Sequence, residues 1–441
     1  MTAPFNPQQL NILKPLSNRR STLQTVIDVG STKIICLIAK LSPQSENNVF
    51  PGRSHSIEVL GIGHQRSHGI KGGAVVDLDA AERAIRLAVD TAERKAGMTV
   101  DSLLVNLSGG RVSSEIFSAN IGLDGRNVEE ADLQRLLRAG CQHASRDGRQ
   151  IVHAVPIGYR LDGNQGVDVP KGMVGKRLGV DLHVVTTDDA PLQNLGLCID
   201  RCHLDVEAVT ATAYASGLAS LVDDEAKLGA VCIDIGGGST NMAVFAAGRL
   251  MHVDGLAMGG QMLTNAIAQG LSISLHSAER IKTLYGSVMV SDLDSEDIVT
   301  VKPVDDDGDD APFHVTRAAI NGLIAPCVTE ILETVRDRLN ASGFASRAGQ
   351  RIVLTGGASQ LTGLAEAASQ IFGRNVRIGR PLGVKGLPDK AKGPAFSTAI
   401  GLLIYPQIAQ MEHLETHSAN HNKRNSGGYF ARVGQWIREC F

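Results

Sequence analysis

The chain has 441 residues, of which 43% are apolar, 4% aromatic and 20% charged. This length and composition exclude a small disulfide-stapled scaffold and an extensively disordered chain, and they predict roughly two to four domains with cores of Leu, Ile, Val and Ala. Because 43 basic residues stand against 46 acidic ones, for a net charge of −3, no overall field attracts nucleic acid, which is not expected as a partner.

The sequence predicts a cytoplasmic protein. Its longest apolar runs are far shorter than the ~20 residues that cross a bilayer, and its first residues lack the apolar core of a signal peptide. Seven cysteines, an odd number in so long a chain, are typical of reduced thiols. Cys198, Cys202 and His203 could share a metal ion, but no second pair with zinc-like spacing accompanies them, so core packing is favoured.

The chain opens with residues 1–21, which are rich in Pro, Asn and Gln and are predicted to be mobile. The run VIDVGSTKIICLIAKL then predicts two strands joined by a tight turn at residues 30–33. A further strand is expected near residues 57–63, followed by a helix in DLDAAERAIRLAVDTAERKAG, where small apolar residues recur at helical spacing. The first unit is therefore β-β-β-α.

Residues 102–181 are predicted to form an inserted α/β domain. Strands are expected near residues 103–107 and 151–159, with a helix through residues 131–144. The Gly-rich stretch VPKGMVGKRLGVDLHVVTT is expected to return the chain to the first sheet.

The opening pattern returns about 205 residues later in AVCIDIGGGSTNMAVFAAG, which suggests two related half-molecules that face each other. Residues 211–222 and the run AFSTAIGLLIY predict helices of small residues that can cross closely, so both are hinge candidates. An acidic stretch at residues 292–310 could bind a hard cation but lacks the spacing of a calcium loop, so a solvated loop is favoured. Its densest part comprises Asp305, Asp306, Asp307, Asp309 and Asp310.

Both Gly/Ser/Thr turns carry the chemistry of a phosphate site. Each follows a strand that ends in Asp, and its backbone N–H groups and hydroxyls can reach phosphate oxygens. Asp28 and Asp234 stand where Mg²⁺ with its water shell would bridge to the phosphates. Two ordinary hairpin turns are the alternative. The predicted phosphate contacts are Gly30, Ser31, Thr32, Lys33, Gly236, Gly237, Gly238, Ser239 and Thr240.

A third element, RIVLTGGASQLTGLAEAASQIFG, again predicts a strand, a Gly-Gly turn and a helix. Gly356, Gly357 and Ala358 would place the helix start beside a ligand, where its N–H groups and dipole suit an α-phosphate and a ribose. The three elements in this order indicate a nucleotide-binding protein.

These motifs resemble the phosphate-1, phosphate-2 and adenosine motifs of the actin, Hsp70 and sugar-kinase superfamily. The resemblance is closer still to the FtsA family of bacterial cell-division proteins, and it extends from about residue 22 to residue 441. The loop HGIKGGAVVD, the run VLTGGASQLTGL and the early position of the inserted domain carry it. It implies a two-lobed, actin-like (ribonuclease H-like) α/β ATPase fold with ATP and Mg²⁺ as cofactors, and it places Glu279 and Lys282 at the ribose and adenine.

The resemblance also implies a division into subdomains. Subdomain 1A would comprise residues 22–101, 182–210 and 391–408, and the inserted subdomain 1C would comprise residues 102–181. Subdomain 2A would comprise residues 211–258 and 318–390, and subdomain 2B residues 259–317.

The end of the chain has the pattern of a membrane anchor. Residues 409–427 are polar and predict a flexible linker, and residues 428–441 place apolar side chains on one face of a helix with charged ones opposite. A core helix carries the same stripe, but a position behind a polar linker favours an interfacial helix on anionic lipid. The residues predicted to bind the membrane are Phe430, Arg432, Val433, Trp436, Ile437, Arg438 and Phe441.

The family resemblance implies a protein that polymerises on the cytoplasmic side of the inner membrane at the division septum, binds the C-terminal tail of FtsZ through subdomain 2B, and recruits later division proteins. Arg317 is a candidate cation for the acidic FtsZ tail. ATP hydrolysis is expected to be slow or negligible. The alternatives are a sugar or polyol kinase, for which no convincing catalytic base is found, and a pilus-assembly ATPase-like membrane adaptor.

Overall fold

The computed structural model describes residues 13–44, 53–109, 111–144, 148–289, 292–302, 312–409 and 412. The densest part of the acidic stretch and nearly all of the predicted linker lie outside these residues. The same holds for all residues predicted to bind the membrane, which are Phe430, Arg432, Val433, Trp436, Ile437, Arg438 and Phe441.

The structure alternates strands and helices along the chain. The strands of the described residues are β1 Thr22–Val29, β2 Lys33–Pro43, β3 His55–Arg66, β4 Ile70–Lys71, β5 Ala74–Val75, β6 Ser102–Leu107, β7 Val112–Gly122, β8 Arg149–Leu161, β9 Asn164–Val167, β10 Arg177–Asp188, β11 Asp205–Ala211, β12 Ala230–Ile235, β13 Thr240–Ala246, β14 Arg249–Leu256, β15 Ile298–Val301, β16 Phe313–Thr316, β17 Arg351–Thr355, β18 Asn375–Ile378 and β19 Val384–Lys385. The α-helices are α1 Leu78–Ala96, α2 Glu130–Ala144, α3 Asp189–Asp200, α4 Thr212–Ser220, α5 Asp223–Leu228, α6 Gly260–Leu271, α7 Leu275–Tyr285, α8 Arg317–Ala341, α9 Leu364–Phe372 and α10 Ser397–Ile404.

The first sheet has six strands in the order β11-β6-β1-β2-β3-β19. Asp77 caps α1 by accepting a hydrogen bond from Ala80 N, and the helix buries small residues against the sheet. A Cβ at Gly63 would lie 1.8 Å from Ala88 O, so glycine lets the backbone of α1 rest directly on β3. The predicted β-β-β-α unit is confirmed, with only the short β4 and β5 between β3 and α1.

The inserted domain is an antiparallel sheet in the order β7-β10-β8-β9, and α2 packs on it. Leu136 and Leu137 of α2 join Leu178, Val180 and Leu182 of β10 in one buried cluster. This cluster gives the insertion a hydrophobic core of its own.

Three boundaries differ from the sequence prediction. β6, which was assigned to the insertion, pairs in parallel with β1 and β11 in the first sheet. β10 does not return to the first sheet but stays in the insertion, and the chain returns through α3 and β11. β19, assigned to the second half, pairs with β3. Pairings between strands so far apart in the chain leave no local pattern.

The second half contains a five-stranded sheet in the order β14-β13-β12-β17-β18. Helices α6, α7, α8 and α9 contribute to its core. By length and composition α8 could cross a membrane. Burial in the protein core explains why α8 is apolar. Its buried residues include Ile320, Ile324, Val328, Ile331 and Leu332.

The two helices of small residues, α4 and α10, cross where the halves meet. A Cβ at Gly401 of α10 would lie 1.8 Å from Ala215 O of α4, so the two backbones are in direct contact. Both helices are confirmed, and their role as hinges stays a prediction.

The chain beyond α10 is fastened to the insertion at Glu412, whose side chain is buried. Its Oε2 accepts hydrogen bonds from His153 Nδ1 at 2.9 Å and from Tyr405 Oη at 3.1 Å. His153 Nε2 in turn accepts the backbone N–H of Ala211 at 3.0 Å. One histidine of β8 therefore joins the end of the body to the start of α4.

The cysteines beside α1 pack against this helix. Cys198 Sγ lies 3.9 Å from Leu78 O and Cys202 Sγ lies 3.6 Å from Glu82 O. No cluster of three metal-ligating side chains occurs among the described residues. Cys198 is buried in the core cluster around α1 and Cys202 packs partly buried against it, which is the arrangement expected for core packing.

Candidate functional site

A cleft of about 740 Å³ lies between the two halves of the molecule, within the range of cavities that bury small ligands. The elements that meet there come from the turns after β1, β12 and β17 and from α6, α7 and α10. Of the residues predicted to bind nucleotide or metal, those that line the cleft are Asp28, Gly30, Ser31, Thr32, Lys33, Asp234, Gly236, Gly237, Ser239, Glu279, Lys282, Gly356, Gly357 and Ala358.

The first two turns have the same backbone geometry. Gly30 N donates to Lys33 O at 3.0 Å, and Gly236 N donates to Ser239 O at 2.8 Å. The turns also touch, because a Cβ at Gly237 would lie 2.2 Å from Thr32 Cγ2. The two turns therefore face each other across one shared crevice.

The third turn differs from the prediction in its secondary structure. After Gly357 the chain forms a short 3-10 turn over residues 358–360, and α9 begins only at Leu364, so no α-helix starts at Gly357. Gly356 has a φ of 86°, and a Cβ there would lie 2.5 Å from Asp234 Oδ1. A Cβ at Gly357 would meet no atom within 4 Å, so this residue borders open space.

Two buried carboxyl groups and the partly buried amino group of Lys33 lie at the base of the crevice. Burial raises the pKa of Asp28 to about 7, an effect that the positive charge of Lys33 opposes and the negative charge of Asp234 strengthens. Burial likewise raises the pKa of Asp234, although the hydroxyls of Ser216 and Thr398 favour its charged form. Burial lowers the pKa of Lys33, whose Nζ donates to Ala395 O. When both carboxyl groups are ionised, they outnumber the single ammonium group, and the negative charge that results suits a divalent cation.

Glu279 and Lys282 lie on one face of α7, and they form more than a surface ion pair. Lys282 Nζ is 2.7 Å from Glu279 Oε2 and donates to Thr264 Oγ1 at 2.8 Å and to Gly260 O at 3.1 Å. Thr264 Oγ1 also donates to Glu279 Oε2 at 2.5 Å. The pair thus joins α7 to the first turns of α6 at the rim of the cleft.

Two predicted contacts do not line the cleft. Thr240 is buried, and its Oγ1 donates to Met258 O at 2.9 Å. Gly238 lies under Ser31, since a Cβ there would be 2.5 Å from Ser31 Oγ. Thr240 therefore stabilises the fold through its hydrogen bond to Met258, while Gly238 allows the two turns to approach each other closely.

Arg317, the candidate cation for an acidic partner, lies outside the cleft and has acidic neighbours of its own. Its guanidinium is 3.6 Å from Asp294 and 3.5 Å from Asp297, and Nε donates to Tyr285 O at 2.9 Å. Asp294 is buried and also accepts from Asn321 Nδ2. This part of the acidic stretch is thus built into the fold.

The sequence missed polar residues that other elements bring to the cleft. Ser67 Oγ is buried and has no hydrogen-bond partner among the described residues, which suits a ligand contact. Burial and the charge of Lys33 lower the pKa of His64. No local sequence motif predicts that Ser67 and His64 line the cleft. The further lining residues that were missed include Arg66, Ser108, Thr212, Asn241, Gly260, Gln261, Thr264, His276 and Thr398.

The donor set fits a nucleoside triphosphate with its metal. The glycine turns expose N–H groups, Ser31, Thr32, Ser239 and Lys33 add polar hydrogens, and the buried carboxylates Asp28 and Asp234 can hold Mg²⁺ through water.

Comparisons with known proteins agree with this architecture. The model for the cell division protein FtsA matches residues 231–401, and the model for the SHS2 domain inserted in FtsA matches residues 109–186. The chain is 52% identical over 432 residues to the cell division protein FtsA of Rhizobium meliloti (strain 1021), with 97% of each chain covered.

Two solved structures share the fold. One is a chain of the PilM-PilN type IV pilus biogenesis complex, with a TM-score of 0.58 and 16% identity over 87% of this chain and 98% of that chain. The other is MreB5 of Spiroplasma citri bound to ADP, with a TM-score of 0.51 and 12% identity over 88% of this chain and 97% of that chain. The predicted actin-like α/β fold with an inserted α/β subdomain is confirmed.

Proposed function

The chain belongs to the FtsA family of cell division proteins, and on this premise we propose that it is an ATP-binding protein that polymerises on the cytoplasmic face of the inner membrane at the division septum. There it anchors the FtsZ ring and recruits later division proteins. Its partners are the FtsZ tail, further copies of itself, later division proteins and anionic lipids.

The observation that supports the nucleotide part is the contact of two matched turns above a pair of buried carboxylates. Ser31, Thr32, Lys33 and Ser239 donate to the phosphates, and Gly356 and Gly357 border the α-phosphate. Glu279 and Lys282 face the ribose and adenine. Asp28 and Asp234 would hold Mg²⁺ through water, and the ion would supply positive charge that offsets the phosphates and favours the charged form of Asp28.

The membrane part is supported by the sequence of the C-terminal segment. The sequence of residues 428–441 has the pattern of an interfacial amphipathic helix, in which Trp436 would lie at the headgroups and Arg432 and Arg438 near anionic lipid. Glu412, within the predicted linker of residues 409–427, is fastened to the body, and a flexible chain of the length of residues 413–427 would span a root-mean-square distance of roughly 20 Å. Polymerisation aligns many weak anchors on one bilayer and multiplies their attachment.

The FtsZ tail is proposed to dock on residues 259–317 and the later division proteins on the insertion. An acidic tail that used Arg317 would have to displace Asp294 or Asp297 from its guanidinium. The remaining subdomain boundaries stay predictions, with β6 and β19 assigned to the first sheet.

The kinase alternative needs a carboxylate base beside a polar sugar pocket. The carboxylates among the described residues that line the cleft are Asp28, Asp234 and Glu279, and all three are assigned to the metal or the ribose. We therefore expect slow or negligible ATP turnover. Phosphoryl transfer to any of a panel of polyols at about one per second or faster would favour the kinase.

Sedimentation with vesicles that contain phosphatidylglycerol tests the membrane part, with and without MgATP. The full chain should pellet at least about fivefold more than a chain that ends at Gly427, and MgATP should increase the difference. Trp436→Glu should release the full chain, because it places a charge on the apolar face. Gln435→Glu makes the same charge change on the polar face and should bind nearly as the parent does.

The adaptor alternative predicts another result. If the chain that ends at Gly427 pelleted as well as the full chain, the C-terminal helix would not be the anchor. Pelleting that depends on this helix but does not respond to MgATP would contradict the link between the nucleotide and assembly.

A further inference from the structure

Two residues form the neck through which the chain enters the insertion. The neck consists of Ser108 and Gly109, which follow β6 of the first sheet. It lies beside the nucleotide cleft, because Ser108 lines that cleft and its Oγ is 2.6 Å from Thr212 Oγ1 of α4. Together with the return of the chain from β10 into α3, this short segment joins the insertion to the first lobe.

The second phosphate turn reaches the neck through Asn241, which is 4% exposed and lines the cleft. Gly109 N donates to Asn241 Oδ1 at 3.1 Å, and Asn241 Nδ2 donates to Ser239 Oγ at 3.3 Å. A backbone N–H can only donate, so the atom of Asn241 that faces Gly109 is the oxygen and the amide nitrogen faces Ser239. Ser239 accepts this bond and keeps its hydroxyl hydrogen for another acceptor.

The first phosphate turn reaches the neck by a similar path. Gly73 N donates to Ser31 Oγ at 3.3 Å, which leaves the hydroxyl hydrogen of Ser31 for another acceptor. Gly73 touches the neck, because a Cβ on it would lie 2.5 Å from Ser108 O and 3.0 Å from Gly109 N. Both turns are therefore connected to the same two residues.

In both paths the donors point toward the place of the phosphates, and these donors begin at Gly109 of the neck in one path and at Gly73, which touches the neck, in the other. A phosphate that accepts the hydroxyls of Ser31 and Ser239 polarises each chain of hydrogen bonds and strengthens the bonds behind it. The bonds of 3.3 Å are long for N–H···O contacts and have room to shorten.

We propose that Asn241 and Ser31 are positioning residues that fix the neck of the insertion when phosphate groups occupy both turns. This inference rests on the proposed binding of ATP in the cleft. Its consequence is that the nucleotide controls the orientation of the insertion as well as the closure of the lobes.

The insertion is also placed to pass this signal to the second lobe. A Cβ at Gly255 of β14 would lie 2.5 Å from Gly109 O, and Val253 N donates to Ser114 Oγ of β7 at 3.1 Å. Arg249 of β14 donates to Pro156 O at 3.4 Å and pairs with Asp168 at 3.2 Å. A neck held more firmly therefore holds β7 and β8 more firmly against β14.

Hydrogen–deuterium exchange read by mass spectrometry tests the proposal on the full chain. Samples with and without saturating MgATP are kept dilute and free of lipid, and sedimentation checks that no polymer forms. MgATP should slow exchange at least about threefold in peptides that cover Gly73 and Gly109. Binding of ATP is measured separately by calorimetry.

Asn241→Ala separates the two paths. At saturating MgATP it should lose the slowing at Gly109 and keep the slowing at Gly73, which the Ser31 path supplies. Ser118→Ala is the matched control, since it removes a hydrogen bond to Asp181 within the insertion, away from the neck. Its response at both glycines should equal that of the parent.

Asn241→Asp is a second test should the alanine variant unfold. It keeps the acceptor for Gly109 and removes the donor to Ser239, so exchange without nucleotide should match the parent while the ATP response at Gly109 is lost. A parent that binds ATP without slowing at either glycine would overturn the inference and leave the proposed function standing. Full slowing at Gly109 in Asn241→Ala would also overturn it. A parent that binds no ATP would refute both.

Discussion

The turn after β1 and the turn after β12 follow the same path, each closed by one hydrogen bond from a glycine N–H, but the carboxylates that precede them have different neighbours. The ammonium group of Lys33 favours the charged form of both carboxyls, and Asp234 in addition accepts hydrogen bonds from the hydroxyls of Ser216 and Thr398. The two copies of the sequence pattern thus have the same backbone conformation, but the set of groups that stabilise the charge of the buried carboxylate differs between the copies.

The difference has a structural origin. Lys33 occupies the place in the first turn that Ser239 occupies in the second, so the first turn carries its own cation. The second turn relies on hydroxyls from α4 and α10, the two helices that cross between the halves. The first turn therefore supplies its own cation, which also donates to Ala395 O, while the second turn takes its hydroxyl donors from α4 and α10.

The largest expected effect tests whether the third turn borders the ligand that the two matched turns are proposed to hold. Gly357→Asp should weaken ATP binding at least about 100-fold, because a carboxylate would enter the space beside the phosphates. Calorimetry measures the affinity, and a thermal melt should stay near that of the parent, since a Cβ at Gly357 meets no atom within 4 Å. Gly122→Asp makes the same charge change on the exposed surface of the insertion. Equal ATP affinity in Gly357→Asp and the parent would overturn the site.

The second prediction concerns the two carboxylates. Because the pKa of Asp28 rises from 3.8 to about 7 on burial, the folded chain holds a proton between these pH values that the unfolded chain has lost. The free energy of unfolding without nucleotide should therefore fall as the pH rises through this window. Asp28→Asn should raise it at pH 8 by about 2–4 kcal/mol, measured by denaturant unfolding at pH 5 and pH 8.

Asp234→Asn is the matched variant for this measurement. Its gain in stability should be smaller, because two hydroxyls already favour the charged form of Asp234. Equal gains in the two variants would contradict the difference drawn between the turns.

The third prediction compares the residues that close the turns. Lys33→Met should weaken ATP binding by about 30-fold, since a hydrogen bond from a charged donor contributes about 1.5–3 kcal/mol. Ser239→Ala should weaken it by only about fivefold, as expected for a neutral donor. A larger loss in Ser239→Ala than in Lys33→Met would reverse the assignment of charge to the first turn.

The smallest effect probes the contact between the turns. Gly237→Ala should lower the free energy of unfolding by about 1 kcal/mol, because its Cβ would lie 2.2 Å from Thr32 Cγ2. Adding Thr32→Ala should restore part of this loss, which a double-mutant cycle measures. Strictly additive effects would mean that the turns do not touch in solution.

Local patterns predicted much of this molecule. The spacing of Asp28 and Gly30, repeated at Asp234 and Gly236, predicted two matched turns, and the resemblance of these motifs to those of the actin, Hsp70 and sugar-kinase superfamily implied the fold class. These features depend on residues close together in the chain, where turn chemistry and periodicity decide the structure.

Other features depend on contacts between distant segments. β6 joins the first sheet through parallel pairing with β1 and β11, and Asn241, Ser67 and Thr398 reach the cleft from separate elements. The helix expected at Gly357 is replaced by a 3-10 turn, and Gly363 precedes α9 in the left-handed conformation instead. Glycine permits both outcomes, so the sequence alone does not choose between them.

The fastening of Glu412 has a mechanical consequence. A force applied to the C-terminal segment reaches the folded body at Glu412. The hydrogen bonds of its carboxylate to His153 and Tyr405 are the first contacts to resist that force. From there the force divides between β8 of the insertion and the end of α10, while the turns around the cleft carry little of it directly. Traction along the tail would therefore load the insertion before it strained the nucleotide pocket.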